Sequence, residues 1–309
     1  MKRDILGLGC ATIDELLFVE NYPAPDAKVL VQHHEIQGGG LCATALVAAA
    51  RFGARCAFGG MLGRDATSQK VAHILECEGV CTDLVCWRDD AAAIHSTIIV
   101  DKTRNTRNIF FRRDGLVGAP PDSPDESEIA ASRVLFVDHY GGSGNTRAVR
   151  LARKNGVPVV ADFERQNVPN WDAFFPLVDH LILSRGFAAK LTGESQIEKM
   201  ARALWNENRE IVAVTDGENG SIALQNGEIF RFETPKIEVV DTTGCGDVFH
   251  GVYAATLAFG WNLERRMKAA SIAAALKARE IGAQKGIPTR AQVESFKEAA
   301  SCRIDCCSR

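Results

Sequence analysis

Apolar residues fall in short unbroken blocks along this chain, at 5–10, 134–138, 157–162, 180–184 and 211–215. A block that is apolar on both faces reads as a strand buried on both sides. Between the blocks lie longer stretches of mixed polarity that read as helices. The stretch 41–53 opens after three glycines and closes on Gly53, and 67–79, 248–259 and 264–280 carry the same helical pattern. Strands alternating with helices predict an α/β fold, a parallel sheet with helices on both faces.

Shorter apolar runs break the alternation. Those at 16–19, 28–31, 94–100 and 108–112 are separated by Pro, Asp and Asn turns and read as strands. They predict a small β-sheet inserted in two pieces, about 16–36 and 94–113, into one domain spanning 1–309. Edge hairpins with no role of their own would give the same pattern. A last strand-like run, 236–240, leads into the chain's most distinctive stretch.

Composition narrows the classes. The chain has 309 residues, 46% of them hydrophobic, enough for one large core. A net charge of −3 gives no basic surface for nucleic acid. No apolar run approaches the roughly 18 residues that suggest a membrane span, and no signal-peptide core follows Met1. Ten scattered cysteines, several within apolar runs, read as reduced thiols of a cytoplasmic protein. Cys302, Cys306 and Cys307 read as an exposed, oxidisable end, with a metal site as the alternative.

The distinctive stretch is 241–251, Asp-Thr-Thr-Gly-Cys-Gly-Asp-Val-Phe-His-Gly. Gly244 and Gly246 permit a tight turn into a helix, whose first amides favour an anion. A carboxylate, Asp247, is out of place in an anion site unless it acts as a base on a hydroxyl that attacks a bound phosphoryl group. A plain glycine turn with Asp247 as a helix cap fits the residues as well. Asp14 follows the first strand, where α/β folds often meet ligands, and it could also be a turn residue. His139 ends a later strand and is open to a catalytic or a structural reading.

Residues 241–251 resemble the signature of the PfkB, or ribokinase-like, carbohydrate kinases, commonly D-T-x-G-A-G-D-x-F-x-G, with Cys245 in the Ala place. Residues 38–53 resemble the family's N-terminal G-G-x-x-x-N-x-A motif, with Thr44 for Asn. Residues 58–65 resemble its G-x-x-G-x-D segment, and 211–221 its V-T-x-G-x-x-G nucleotide segment. The resemblance covers 5–288 and implies a Rossmann-type fold whose small sheet is a lid over the sugar and often a dimer contact. It implies Asp247 as general base and the Gly244, Cys245 and Gly246 amides as the phosphoryl site. Asp14, Gly39, Gly40 and Thr44 would hold the acceptor, and Thr215, Gly217 and Gly220 would meet ATP. Mg2+ would accompany ATP, and Asp241 with the 282–288 loop would hold a monovalent cation such as K+.

The family's Asn and Glu before an L-T-G helix are here Ser184 and Phe187, and that Glu usually organises Mg2+. The expected acceptor is a ribose- or fructose-like sugar, and the expected assembly a homodimer through the lid. Sulfofructose or another anionic sugar is an alternative. Residues 38–45, Ser184 and 247–251 point to it, Tyr140 stands where a sulfonate-binding Arg is expected, Lys28 or Arg112 could meet an anionic group, and Asp162 with Arg165 resembles the D-x-N-x-R element of some acid-sugar kinases. A nucleoside kinase would use Phe18 or Phe110 against a base. A non-catalytic sensor would explain Ser184 and Phe187.

Overall fold

The structure is a computed structural model, and it describes residues 3–104 and 106–296. Its main sheet has eight strands. In spatial order they are Glu228–Phe232, Ser221–Gln225, Ile211–Thr215, His180–Ser184, Val159–Asp162, Ser132–Asp138, Arg3–Leu8 and Cys56–Phe58. The last six named are mutually parallel, and the first two close one edge as an antiparallel hairpin. The unbroken apolar runs follow from burial on both faces. Ile5, Val134, Phe136, Val160 and Ile182 point into one core, packed by the helices Leu41–Arg51, Cys245–Ala258 and Leu263–Lys277. Their neighbours Leu6, Leu135, Val137, Ala161 and Leu181 point into a second core, with the helices Ser143–Lys154 and Ile197–Ala203.

Strands of one direction end on one side, and there Asp138 pairs in register with Asp162, and Ser184 with Thr215. These four residues terminate four adjacent strands, so polar groups collect along the carboxyl edge of the sheet, where such folds bind ligands.

A second sheet, ordered His33–Gly39, Thr12–Val19, Ile94–Asp101 and Thr106–Arg112, stands beside that edge. Leu16, Phe18 and Ile98 are buried on its inner face, with Val100 and Ile281 packed against them. Each such buried side chain contributes about 1.5–3 kcal/mol, enough to seat the sheet on the body. Asp101 fixes one end of it. Its carboxylate accepts the amides of Tyr22 and Arg104, both at 2.9 Å, and these bonds hold its pKa below the ordinary value.

Two expected strands are absent where they were placed. Residues 28–31 are irregular and Leu30 is 83% exposed; the strand that pairs with Thr12–Val19 is the more polar His33–Gly39. This sheet leaves one face open, so apolarity marks strand positions poorly there. Residues 236–240 are also irregular, and they border a cavity instead of extending the sheet. Cys302, Cys306 and Cys307 lie outside the described residues. Among those described, no helix is long and apolar enough to cross a membrane.

Candidate active site

Gly244 is the pivot of the site. Its φ of 77° is left-handed, and a Cβ there would lie 2.7 Å from the Ala283 carbonyl oxygen, so only glycine fits without strain. The turn delivers the chain into the Cys245–Ala258 helix, whose first-turn amides have no partner within the helix. Of the three amides expected to hold a phosphoryl group, that of Cys245 donates within the turn to the Thr242 carbonyl at 3.2 Å. Gly246 is exposed and a Cβ there would meet nothing within 4 Å, so its backbone is open to a ligand. Burial pushes the Cys245 thiol up to about 11, which keeps it neutral beside an anion site.

A cavity of about 620 Å³ opens at this helix mouth, in the range of small-molecule sites. Thr215, Gly217 and Gly220 line it together with Cys245 and Gly246, so the expected nucleotide and phosphoryl residues share one space. Ser271, Ala274 and Ala278 form its small-residue wall.

Asp247 sits on the first turn of the helix, side chain against side chain with Asp162 at the end of the neighbouring strand. Burial first, then the charges of Asp162 and Glu164, raises the Asp247 pKa well above the ordinary carboxylate value. Asp162 is raised too, by burial above all. Asp162 is buried and Asp247 half-buried, and two touching carboxyls so placed do not both ionise cheaply, so the pair holds a proton more readily than isolated carboxylates would. His250, one turn on from Gly246, completes the group. Its Nδ1 lies 2.8 Å from the Gly246 oxygen and 3.3 Å from Asp162 Oδ2, and its Nε2 is 3.0 Å from the Ile182 oxygen. Burial lowers its pKa, and a neutral ring can donate to only one of these acceptors. The sequence reading missed His250, although Asp247 and His250 are three apart and so share a helix face.

The first turn of the Leu41–Arg51 helix reaches the same region. The Cys42 thiol is fully buried and raised first by burial and then by Asp138, with Asp162 and Asp247 also acting on it. Just before that helix, the Asp14 carboxylate accepts the Thr12 hydroxyl at 2.8 Å and lies against Gly39. Burial raises its pKa. Gly40 turns the chain there with φ 92°. Thr44 is placed differently: it is wholly buried, and its hydroxyl accepts Gln284 Nε2 at 3.2 Å.

Several other candidates meet partners within the fold. Ser184 caps the Arg185–Thr192 helix by accepting the Phe187 amide at 3.3 Å, and Phe187 packs edge-on against Trp171 at 6.2 Å. Phe18 is core. His139 is buried with its pKa pushed down to about 4, chiefly by burial, and accepts the Glu164 amide at 3.5 Å. Arg112 faces Asp114 at 3.4 Å, and Arg165 lies over the Phe111 ring at 5.6 Å.

Asp241 was expected to hold a monovalent cation. Its Oδ1 accepts the Thr243 amide and hydroxyl and faces Arg107 Nη1 at 3.0 Å, its Oδ2 accepts the Gly282 amide, and its carbonyl accepts Lys277 Nζ at 3.0 Å. Two protein cations already meet this residue, so its donor set does not fit an added K+. Neither Lys277 nor Arg107 was singled out from the sequence, because nothing in a helix-end lysine marks it as buried and nothing in a strand arginine marks it as the partner of Asp241.

Residues 2–290 match the family described as pfkB family carbohydrate kinase. Ribokinase of Haemophilus influenzae is 26% identical over 307 residues, covering 97% of this chain and all of that protein. Fructokinase of Solanum tuberosum is 28% identical over 226 residues, covering 69% of each chain. The structure of Arabidopsis thaliana ribokinase complexed with ribose and ATP superimposes with a TM-score of 0.84 over 96% of this chain and all of that one, at 23% identity. With the family match running through nearly the whole chain and the same fold in its relatives, this chain belongs to the pfkB family carbohydrate kinases and is a phosphotransferase.

Proposed function

We propose that the chain transfers the γ-phosphoryl group of ATP to a hydroxyl of a small ribose- or fructose-like sugar. The observation that carries this reading is the position of Asp247. It is a carboxylate of raised pKa on the first turn of a helix whose mouth opens into the nucleotide-sized cavity. As base it takes the acceptor's proton while the helix-mouth amides of Gly244 and Gly246 hold the transferring group. A raised pKa suits a base that works near neutrality. Asp14, with oxygens for two neighbouring hydroxyls, holds the sugar beside Gly39 and Gly40. Thr215, Gly217 and Gly220 approach the ATP phosphates.

Mg2+ arrives with ATP and neutralises phosphate charge when bound. It keeps much of its water shell, so a core aromatic at Phe187 in place of a carboxylate is tolerable. The lid sheet covers the acceptor and excludes water, which would otherwise take the phosphoryl group. The lid also joins two copies into a homodimer. Free buried thiols such as Cys10, Cys42 and Cys56 suit the cytoplasm.

ATP consumption across ribose, fructose, sulfofructose, acid sugars and nucleosides, with Mg2+, tests the reading. The expected result is strong turnover with a neutral pentose or ketohexose. Preference for a nucleoside would overturn the acceptor assignment. Silence across the panel with nucleotide still bound would favour the sensor.

A further inference from the structure

Lys277 is the last residue of the Leu263–Lys277 helix, and it is 0% exposed. A lysine so placed ordinarily snorkels to water. Here the side chain turns inward, and Nζ donates to the Asp241 carbonyl at 3.0 Å. That carbonyl begins the turn that ends at Gly244. The ammonium acts electrostatically on Asp241, whose carboxylate favours its charged form in return, while the Arg107 guanidinium opposes it. Burial works against that charge and lowers the Lys277 pKa. Burying an ammonium is costly unless its charge is used, and a methionine would fill the space more cheaply.

The neighbourhood is also braced from two other sides. The amides of Val240 and Asp241 both donate to the Ala278 carbonyl, at 2.8 and 3.0 Å, so the residue after Lys277 holds the same segment. From the lid, Arg107 reaches the Asp241 carboxylate. A buried positive charge thus lies against the start of the 241–244 turn, outside the lining of the cavity. There it reinforces the positive end of the Cys245–Ala258 helix.

We propose that Lys277 is a positioning residue, a built-in cation that orders residues 241–244 and polarises the anion-binding turn, in the place a free monovalent cation would otherwise take. The inference rests on the kinase reading of that turn. It follows that phosphoryl transfer by this chain is indifferent to the monovalent cation in the buffer.

The test compares the native chain with Lys277→Met and Lys277→Ala in chlorides of potassium, sodium and tetramethylammonium, at equal ionic strength. Turnover is read with the best acceptor, and thermal shift is read with and without ADP. The native chain is expected to show the same kcat and the same ADP-induced shift in all three salts. Lys277→Met is expected to lose roughly 100-fold in kcat, the scale of removing one preorganised charge, with a smaller change in acceptor KM. Lys277→Ala, which leaves room for an ion, is expected to recover part of its kcat and of its ADP-induced shift in potassium chloride, but not in tetramethylammonium chloride.

Potassium activation of the native chain, or a potassium-specific increase of its ADP-induced shift, overturns the proposal. So does a Lys277→Met variant of normal kcat. If both variants fail to fold, the native salt series still decides. If no acceptor is turned over, the kinase reading fails separately, and the thermal shifts still report on Lys277.

Discussion

Asp247 cannot be understood apart from the two side chains beside it. Its pKa is raised by burial and then by Asp162, so its base form should appear only well above the roughly pH 4 of an ordinary carboxylate. A base works when deprotonated; kcat/KM should therefore fall on the acid side with a limb displaced to high pH. Asp162→Asn removes the nearest negative charge, which makes Asp247 easier to ionise. The limb should then move toward lower pH, while the plateau falls modestly because a hydrogen bond has changed. A limb that stays in place, or moves up, would mean that Asp162 is not coupled to the reacting proton. Asp247→Asn in the same assay should lower the plateau by about 100- to 10,000-fold, the usual contribution of a positioned base.

The catalytic helix is held by contact, not by caps. Gly251 faces the Leu41–Arg51 helix so closely that a Cβ would fall 2.1 Å from the Ala45 carbonyl oxygen, a backbone atom with no freedom to yield. Gly251→Ala should separate the two helices and cost about 1–3 kcal/mol in urea unfolding. Gly186→Ala, at a helical site where a Cβ meets nothing within 4 Å, should be neutral or stabilising by up to about 1 kcal/mol. Equal losses at both positions would refute the close-approach account. The same distinction governs what the sequence made legible. The main sheet was readable because strands buried on both faces leave unbroken apolar runs. The Gly244–Asp247 turn was readable because close backbone approach demands glycine. The strand His33–Gly39 was not, since it opens on His33, His34 and Glu35 and carries a single branched apolar residue, Ile36. Thr44 sat at the matching place in a motif, yet its hydroxyl turns to Gln284, which lies 240 positions away. Burial of Lys277, and the meeting of His250 with Asp162, depend on how distant elements pack, which no local pattern encodes.

At the scale of the whole molecule the lid has two unlike faces. Side chains alternate across a strand. Leu16, Phe18 and Ile98 face the body, and on the last strand Arg107 and Phe111 reach body residues. Glu15, Leu17, Thr97, Ile99 and Phe110 therefore face outward, and cross-strand pairing sets Ile36, Glu15, Thr97 and Phe110 in one row. Phe110 is 54% exposed and Ile36 43%, with the half-buried Leu17 and Ile99 between them. A face that sets exposed Phe110 and Ile36 around Glu15, which meets His34 and His95, on a sheet with an open edge strand, is the kind of surface that a second copy covers. A two-fold arrangement would set it against itself, so one substitution acts twice. Light scattering should give a particle of twice 33.5 kDa for the native chain. Phe110→Asp should give monomers, and because the lid then loses its backing, KM for the sugar should rise more than KM for ATP. A native monomer would remove the dimer from the account. A dimer that survives Phe110→Asp with both KM values unchanged would move the contact to another face, and would leave the lid's outer stripe without a partner.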